Sequence, residues 1–345
     1  MARHPAKRKP LTMNSINTAL LGLGRWGQLL HQASLASDHL NITTVVGRSI
    51  ERIQQYCSEN SLAASSNLDK MLQNDGIDAV IIATPHSQHF QQLMSVAEAG
   101  KHVYCEKPFT LSATQANTAL NALKKQNCKV AVGHNRRFAP NTLAVKQLIS
   151  DGWFGDLVHI DGVFNAQMAQ SKGQWRDSAA ESPAGGMTSL GIHVVDMFIN
   201  LMGNVSSLRA DSRRVTGNCE FDDHTTVNLN FSNEAGGLLT TLTNTAMQWR
   251  ITLYGSKGWA CIEDQDTLTL QPVDGEREII LYPGYGYPAI KTLTSALDAF
   301  ALDISNGDAF PVTPEQVLHG TEVLEAIIQS ASSGVTVSTP TATTN

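Results

Sequence analysis

The chain has 345 residues, more than a single hydrophobic core usually serves, so two domains are expected. Charged residues make up only 16% and the formal net charge is -6 at pH 7, which argues against nucleic acid as the main partner. The longest apolar runs, DAVIIAT and INTALLGLG, fall far short of the roughly 20 residues a membrane span needs, so a soluble protein with no membrane partner is expected.

Residues 1-13 open with MARHPAKRKPLT, five basic side chains counting His4, and no apolar run follows. This reads as a disordered extension with Met13 as an alternative start, not as a secretory signal. Cys57, Cys105, Cys128, Cys219 and Cys261 are scattered without CxxC pairs or nearby histidine spacing. They read as reduced thiols of a cytoplasmic protein, with no metal site.

From Ile16 to about Asn135, short β-rich runs alternate with amphipathic stretches. INTALLG, ITTVVG, DAVIIAT, KHVYCE and KVAVGHN are strand candidates; QQLMSVAEAG and TQANTALNALKKQN have helical spacing. Such alternation predicts βαβ units and a doubly wound parallel sheet over residues 14-136.

The first strand runs straight into GLGRWG, so Gly22, Gly24 and Gly27 match G-x-G-x-x-G between a strand and a helix. In that context the first glycine permits the turn, the second lets a pyrophosphate approach the backbone, and the third lets helix and strand pack. Arg25 and Trp26, inside the motif, join the cofactor-binding candidates. At the end of the second strand, where an acid would select NAD, the chain reads VVGRSIER. Arg48 and Ser49 stand at that point with Arg52 close behind and no carboxylate in the acid's place, which favours NADP and leaves NAD open.

The second half, residues 137-345, reads differently. LVHIDGVFNAQ, TTVNLNFS, GGLLTTLTN, WRITLYGS, GWACIED and TLTLQPV are strand-like and separated by turn signals, which suits antiparallel pairing. Between them lies GGMTSLGIHVVD, where Leu190, Val194, Met197, Phe198 and Leu201 recur at helical spacing. Ser189, His193 and Asp196 fall at i, i+4 and i+7, a shared face opposite the apolar one. Alone, His193 in such a run favours a structural role.

Four motifs change that reading: GLGRWG, ATPHSQHFQQLMSVAEAGKHVYCEKPF with its Glu106-Lys107-Pro108, the WR pair, and GGMTSLGIHVVD. In this order and spacing the chain resembles the Gfo/Idh/MocA oxidoreductases from about Asn14 onward. The resemblance implies an α/β Rossmann domain followed by an α+β domain with a large, open, mostly antiparallel sheet. It implies an enzyme that oxidises a hydroxyl or reduces a ketone on a sugar, polyol or related cyclic compound. An open sheet face needs cover, so a homodimer or homotetramer is expected.

The same resemblance assigns site residues. Lys107 contacts the reacting oxygen, and Pro108 is expected in a cis peptide. Glu106 bonds the nicotinamide ribose, and Thr84, Pro85 and His86, the last where relatives often have asparagine, form the turn against the cofactor, with His89 behind them. Among Asn135, Arg136 and Arg137, the first two are assigned to substrate or nicotinamide and the remaining arginine to the surface. Trp175 and Arg176 border the substrate, and His193 becomes the catalytic histidine. Ser189 departs from the aspartate that many sugar and polyol dehydrogenases of the family carry there, which puts the usual polyol substrate in doubt. The implied chemistry is hydride transfer at the nicotinamide, with Lys107 and His193 handling the proton. The alternative is a catalytically silent dinucleotide-binding regulator or sensor.

Overall fold

A computed structural model describes residues 15-168, 175, 178-216 and 220-340. The N-terminal extension, Arg176 and Cys219 lie outside the described residues. The chain divides into two compact units: one of residues 1-110, 114-135 and 288-314, the other of residues 111-113, 136-287 and 315-345. The expected domain border at 136/137 lies beside the passage from first unit to second. The return of residues 288-314 to the first unit was not anticipated, because nothing local in that stretch marks its partner.

The first unit is built on β1 (Ile16-Leu21), β2 (Leu40-Val46), β3 (Ala63-Ser65), β4 (Ala79-Ile82), β5 (His102-Cys105) and β6 (Val130-Val132). They form one parallel sheet in the order β3-β2-β1-β4-β5-β6, the doubly wound order. The near-continuous apolar runs of β1 and β4 follow from burial on both faces: Ala79 to Ile82 are fully enclosed. The helices between them are α1 (Arg25-Ser34), α2 (Ile50-Glu59), α3 (Leu68-Leu72), α4 (His86-Glu98) and α5 (Ala113-Lys125).

The second unit carries α6 (Pro140-Ser150), β7 (Leu157-Gln167), α7 (Ile192-Met202), β8 (Val205-Arg213), β9 (His224-Phe231), β10 (Gly236-Leu242), β11 (Asn244-Gly255), β12 (Gly258-Glu263), β13 (Thr267-Pro272) and β14 (Glu278-Leu281). After them, α8 (Ile290-Asn306) belongs to the first unit. There Thr294 Oγ1 donates to Ala33 O at 3.0 Å, Ser37 bonds Asp298, and Lys129 pairs with Asp303 at 2.7 Å. The ring of Phe300 meets Tyr104 edge-on. The second unit closes with α9 (Pro314-Ser333) and β15 (Val337-Ser338).

The nine strands of the second sheet run β14-β13-β12-β11-β7-β10-β9-β8-β15, antiparallel except for β10 on β7. The expectation of a large, mostly antiparallel sheet holds. One face buries Ile160, Phe164, Val227, Leu239, Ile251 and Ile262 with α7 and α9 in a single apolar cluster. Gly162 makes the approach of α7 possible, since a Cβ there would stand 2.2 Å from Val194 and 2.7 Å from Phe198. Among the described residues, no helix is long and apolar enough to cross a membrane.

Candidate active site

In the first unit, the glycine motif does three separate physical jobs. Gly22 has φ +91°, and a Cβ there would meet Ala83 O at 2.7 Å; its N-H donates to Val46 O at 2.9 Å. A Cβ on Gly27 would stand 2.1 Å from Gly22 O, so the third glycine is required for packing. Gly24, just before α1, has no atom within 4 Å of where a Cβ would stand, leaving open space at the helix N-terminus. An open, glycine-lined helix start fits a dinucleotide pyrophosphate. Arg25 is exposed at the first position of α1, and Trp26 is partly buried with Nε1 enclosed.

At the end of β2, Arg48 and Arg52 are exposed and Ser49 caps α2. The structure adds a carboxylate that the sequence reading left out. Ser49 Oγ donates to Glu51 Oε2 at 2.5 Å, and that bond holds the Glu51 carboxyl below its ordinary value. The absence of an acid therefore holds at Arg48 and Ser49 themselves but not two residues on.

The turn after β4 places Thr84 with its hydroxyl donating to Gln92 Oε1 at 2.6 Å, Pro85 before α4, and His86 buried at the helix start. His89, read as a cofactor contact, is fully enclosed. Its Nδ1 lies 2.8 Å from Pro108 O and its Nε2 3.1 Å from Thr84 O, so the ring bridges two backbone turns. Cys105 Sγ is 3.6 Å from the same Nδ1, and burial pushes that thiol well up in pKa. Glu106 is buried, Lys107 is partly exposed beyond β5, and the Lys107-Pro108 peptide is cis, as expected. Asn135 is buried with Nδ2 donating to Thr292 Oγ1 of α8 at 2.8 Å, which ties its amide to protein.

In the second unit, Arg136 lays its guanidinium over Trp249 at 3.9 Å and Phe164 at 4.5 Å from the ring centroids. Phe164 also meets His193, centroids 5.7 Å apart. Arg137, assigned to the surface, is instead buried. Its Nε donates to both Asp196 carboxylate oxygens at 3.0 Å and Nη2 to Oδ1 at 2.6 Å, while Nη1 reaches Gln316 at 2.8 Å. Asp196, which the sequence reading kept out of the site residues, is the partner that holds this arginine.

The segment Met187-Gly191 forms a π-helical turn before α7, so Ser189 lies outside the α-helix that carries His193. A π turn is wider than an α turn, and the i, i+4 spacing no longer stacks Ser189 squarely on His193. The contrast of a polar against an apolar face is also weaker than expected, because every residue from Ile192 to Ile199 is buried. Ser189 Oγ donates to Met168 Sδ at 3.6 Å. Trp175 is partly buried. Phe164, Trp249 and Met168 were missed; their only sequence signal was alternation along strands or proximity to WR.

The Oxidoreductase family with NAD-binding Rossmann fold matches residues 16-134, and the GFO/IDH/MocA C-terminal domain matches residues 142-261. The chain belongs to the GFO/IDH/MocA oxidoreductase family. It is 28% identical over 204 residues to Oxidoreductase P35 of Formosa agariphila, covering 57% of this chain and 64% of that protein. It is 26% identical over 220 residues to the scyllo-inositol 2-dehydrogenase (NADP(+)) IolW of Bacillus subtilis, covering 64% and 61%. The match thus spans less than two thirds of the length of these relatives. The fold resembles that of levoglucosan dehydrogenase, solved with NADH and levoglucosan, at TM-score 0.87 and 21% identity over 95% of this chain and 100% of that one.

Proposed function

We propose that this GFO/IDH/MocA member is an NAD(P)-dependent oxidoreductase acting on a hydroxyl or carbonyl carbon of a sugar, polyol or related cyclic compound, with NADP favoured. The observation that carries the reading is the open, glycine-lined start of α1 at Gly24. The names of the relatives, an inositol dehydrogenase with NADP(+) and a levoglucosan dehydrogenase with NADH, support the cofactor and substrate class.

A bound nicotinamide dinucleotide would supply the hydride donor or acceptor. Gly22, Gly24, Arg25, Trp26 and Gly27 hold its pyrophosphate, Arg48, Ser49 and Arg52 its adenosine ribose and 2'-phosphate, and Thr84, Pro85, His86 and Glu106 its nicotinamide half. Lys107 donates a hydrogen bond to the reacting substrate oxygen, and His193 supplies or removes the proton on that oxygen. Arg136, Ser189, Trp175 and Arg176 orient the substrate. The outward sheet face, whose cross-strand row includes exposed Leu238 and Ile279, supports a homodimer or homotetramer, which light scattering would size.

Absorbance at the reduced nicotinamide band, with sugars, inositols and keto-sugars and both cofactors, tests the reading. Turnover that Lys107→Met abolishes while cofactor still binds is expected. Tight cofactor binding with no turnover on any compound would replace it with the regulator or sensor reading.

A further inference from the structure

Arg136 and Arg137 are adjacent, yet their donors meet different fates. Arg137 commits its guanidinium to Asp196 and Gln316. Arg136 lies over the Trp249 and Phe164 rings, and among the described residues no hydrogen bond or ion pair takes up its guanidinium. The two rings stand at 84° to each other, so the planar guanidinium faces at most one of them squarely and keeps N-H donors for a carboxylate or phosphate.

The surrounding charges compensate that cation only in part, through Asp264. Protein encloses it enough to pull its pKa down to about 9, with Asp264 acting in the opposite direction, so it remains a cation at neutral pH. The nearby Asp196 is neutralised by Arg137, and Ser189 carries no charge. His193 contacts the same Phe164 ring that Arg136 covers, which places both groups around one side chain.

We infer that Arg136 is a specificity-determining residue that grips an anionic substituent of the substrate, making the substrate class an anionic sugar derivative, a sugar acid or sugar phosphate, rather than a neutral polyol. The inference rests on the oxidoreductase reading above. A half-buried charged donor set that an uncharged ligand leaves unmatched discriminates against that ligand.

The test is calorimetric titration of the full chain with glucuronate, gluconate, glucose 6-phosphate, glucose and myo-inositol, with turnover measured in parallel. Carboxylate and phosphate arms separate the two sources of charge. At least one anionic sugar should bind about tenfold or more tightly than glucose. Arg136→Gln should erase that margin, and Arg136→Lys, which keeps the cation over the rings, should retain part of it. Neutral sugars binding as tightly as the anions, a margin that survives in Arg136→Gln and Arg136→Lys alike, or no binding of any probe overturns the assignment. Arg136-dependent anion binding without turnover would leave the site standing and remove the oxidoreductase reading. Turnover of neutral sugars alone would do the reverse.

Discussion

Arg137 and Asp196 form a buried ion pair with three donor-acceptor contacts of 2.6 to 3.0 Å, both side chains almost wholly enclosed. Asp196 lies three residues after His193 on α7, so the pair pins the helix that presents the histidine. Removing one partner strands the other charge in a low-dielectric setting. Arg137→Met or Asp196→Asn should each destabilise by about 3-5 kcal/mol in urea unfolding, with little dependence on salt. The double change Arg137→Met with Asp196→Leu should recover most of the loss, since two apolar groups leave no charge unmatched. Equal losses in the single and double variants would contradict this.

The glycines of GLGRWG should separate folding from cofactor binding. A methyl on Gly27 would stand 2.1 Å from Gly22 O, which backbone cannot relieve cheaply. Gly27→Ala should therefore lower the melting temperature of the cofactor-free protein. At Gly24 the same methyl meets open space, so Gly24→Ala should leave that melting temperature near wild type. It should instead weaken NADP and NAD binding by about tenfold or more, read by quenching of intrinsic fluorescence, because the space is where a pyrophosphate approaches.

His89 joins two turns through its ring, Pro108 O at 2.8 Å and Thr84 O at 3.1 Å. Both acceptors are carbonyls, and the imidazole N-H donates to one of them according to its tautomer, whereas a phenyl ring in its place offers neither turn a donor. His89→Phe should lower kcat by about tenfold or more through displacement of Lys107, beyond what its loss of stability explains. Leu93→Ala, a cavity in the same α4, is the control: with a similar drop in melting temperature it should keep most of its kcat. Parallel losses of kcat in the two variants would make His89 an ordinary core residue.

Much of this architecture was legible where pattern and period coincide. β7 matches LVHIDGVFNAQ residue for residue, because alternation along an exposed-and-buried strand is a local property. β3, three residues reading AAS, has no apolar signature and owes its existence to the edge of β2. The parallel pairing of β10 on β7 and the membership of α8 in the first unit are decided by partners far along the chain, which no window of sequence contains. The site shows the same division. The motif residues at Gly22, Lys107 and His193 could be named, but the opposite fates of Arg136 and Arg137 depend on Trp249 and Asp196, about 113 and 59 positions away by the numbering. Ser189 was placed by α-helical spacing, and a π turn displaced it.

Asp223 sets an acid limit on the loop before β9. Burial raises its pKa, but bonds from Thr216 Oγ1 at 2.6 Å, Val215 N and Thr216 N at 2.7 Å and Asn244 Nδ2 at 3.2 Å outweigh that and lower it from 3.8 to about 2. A carboxylate with a depressed folded pKa contributes stability that is present above its unfolded value and lost as pH falls through the folded one. Wild type should thus lose about 1 kcal/mol from this group between pH 4 and pH 2, a figure discounted for solvent screening. Asp223→Asn should be less stable at pH 7 and show a flatter pH dependence in that window. Identical slopes for the two proteins would rule the clamp out.

Cofactor choice turns on the end of β2. Arg48 and Arg52 are exposed cations suited to a 2'-phosphate, while Glu51, bonded by Ser49 at 2.5 Å, places a carboxylate among them. A carboxylate that takes up Ser49 competes with a phosphate for the same hydroxyl and repels its charge, whereas a ribose 2'-hydroxyl could donate to it. Glu51→Gln should therefore improve the ratio of NADP to NAD affinity severalfold, and Arg48→Ala should lower it. Because these are exposed charges, both shifts should shrink as ionic strength rises. If Glu51→Gln leaves the ratio unchanged while Arg48→Ala reduces it, the arginine alone selects the cofactor; if neither moves it, selection lies elsewhere and the preference for NADP falls with it.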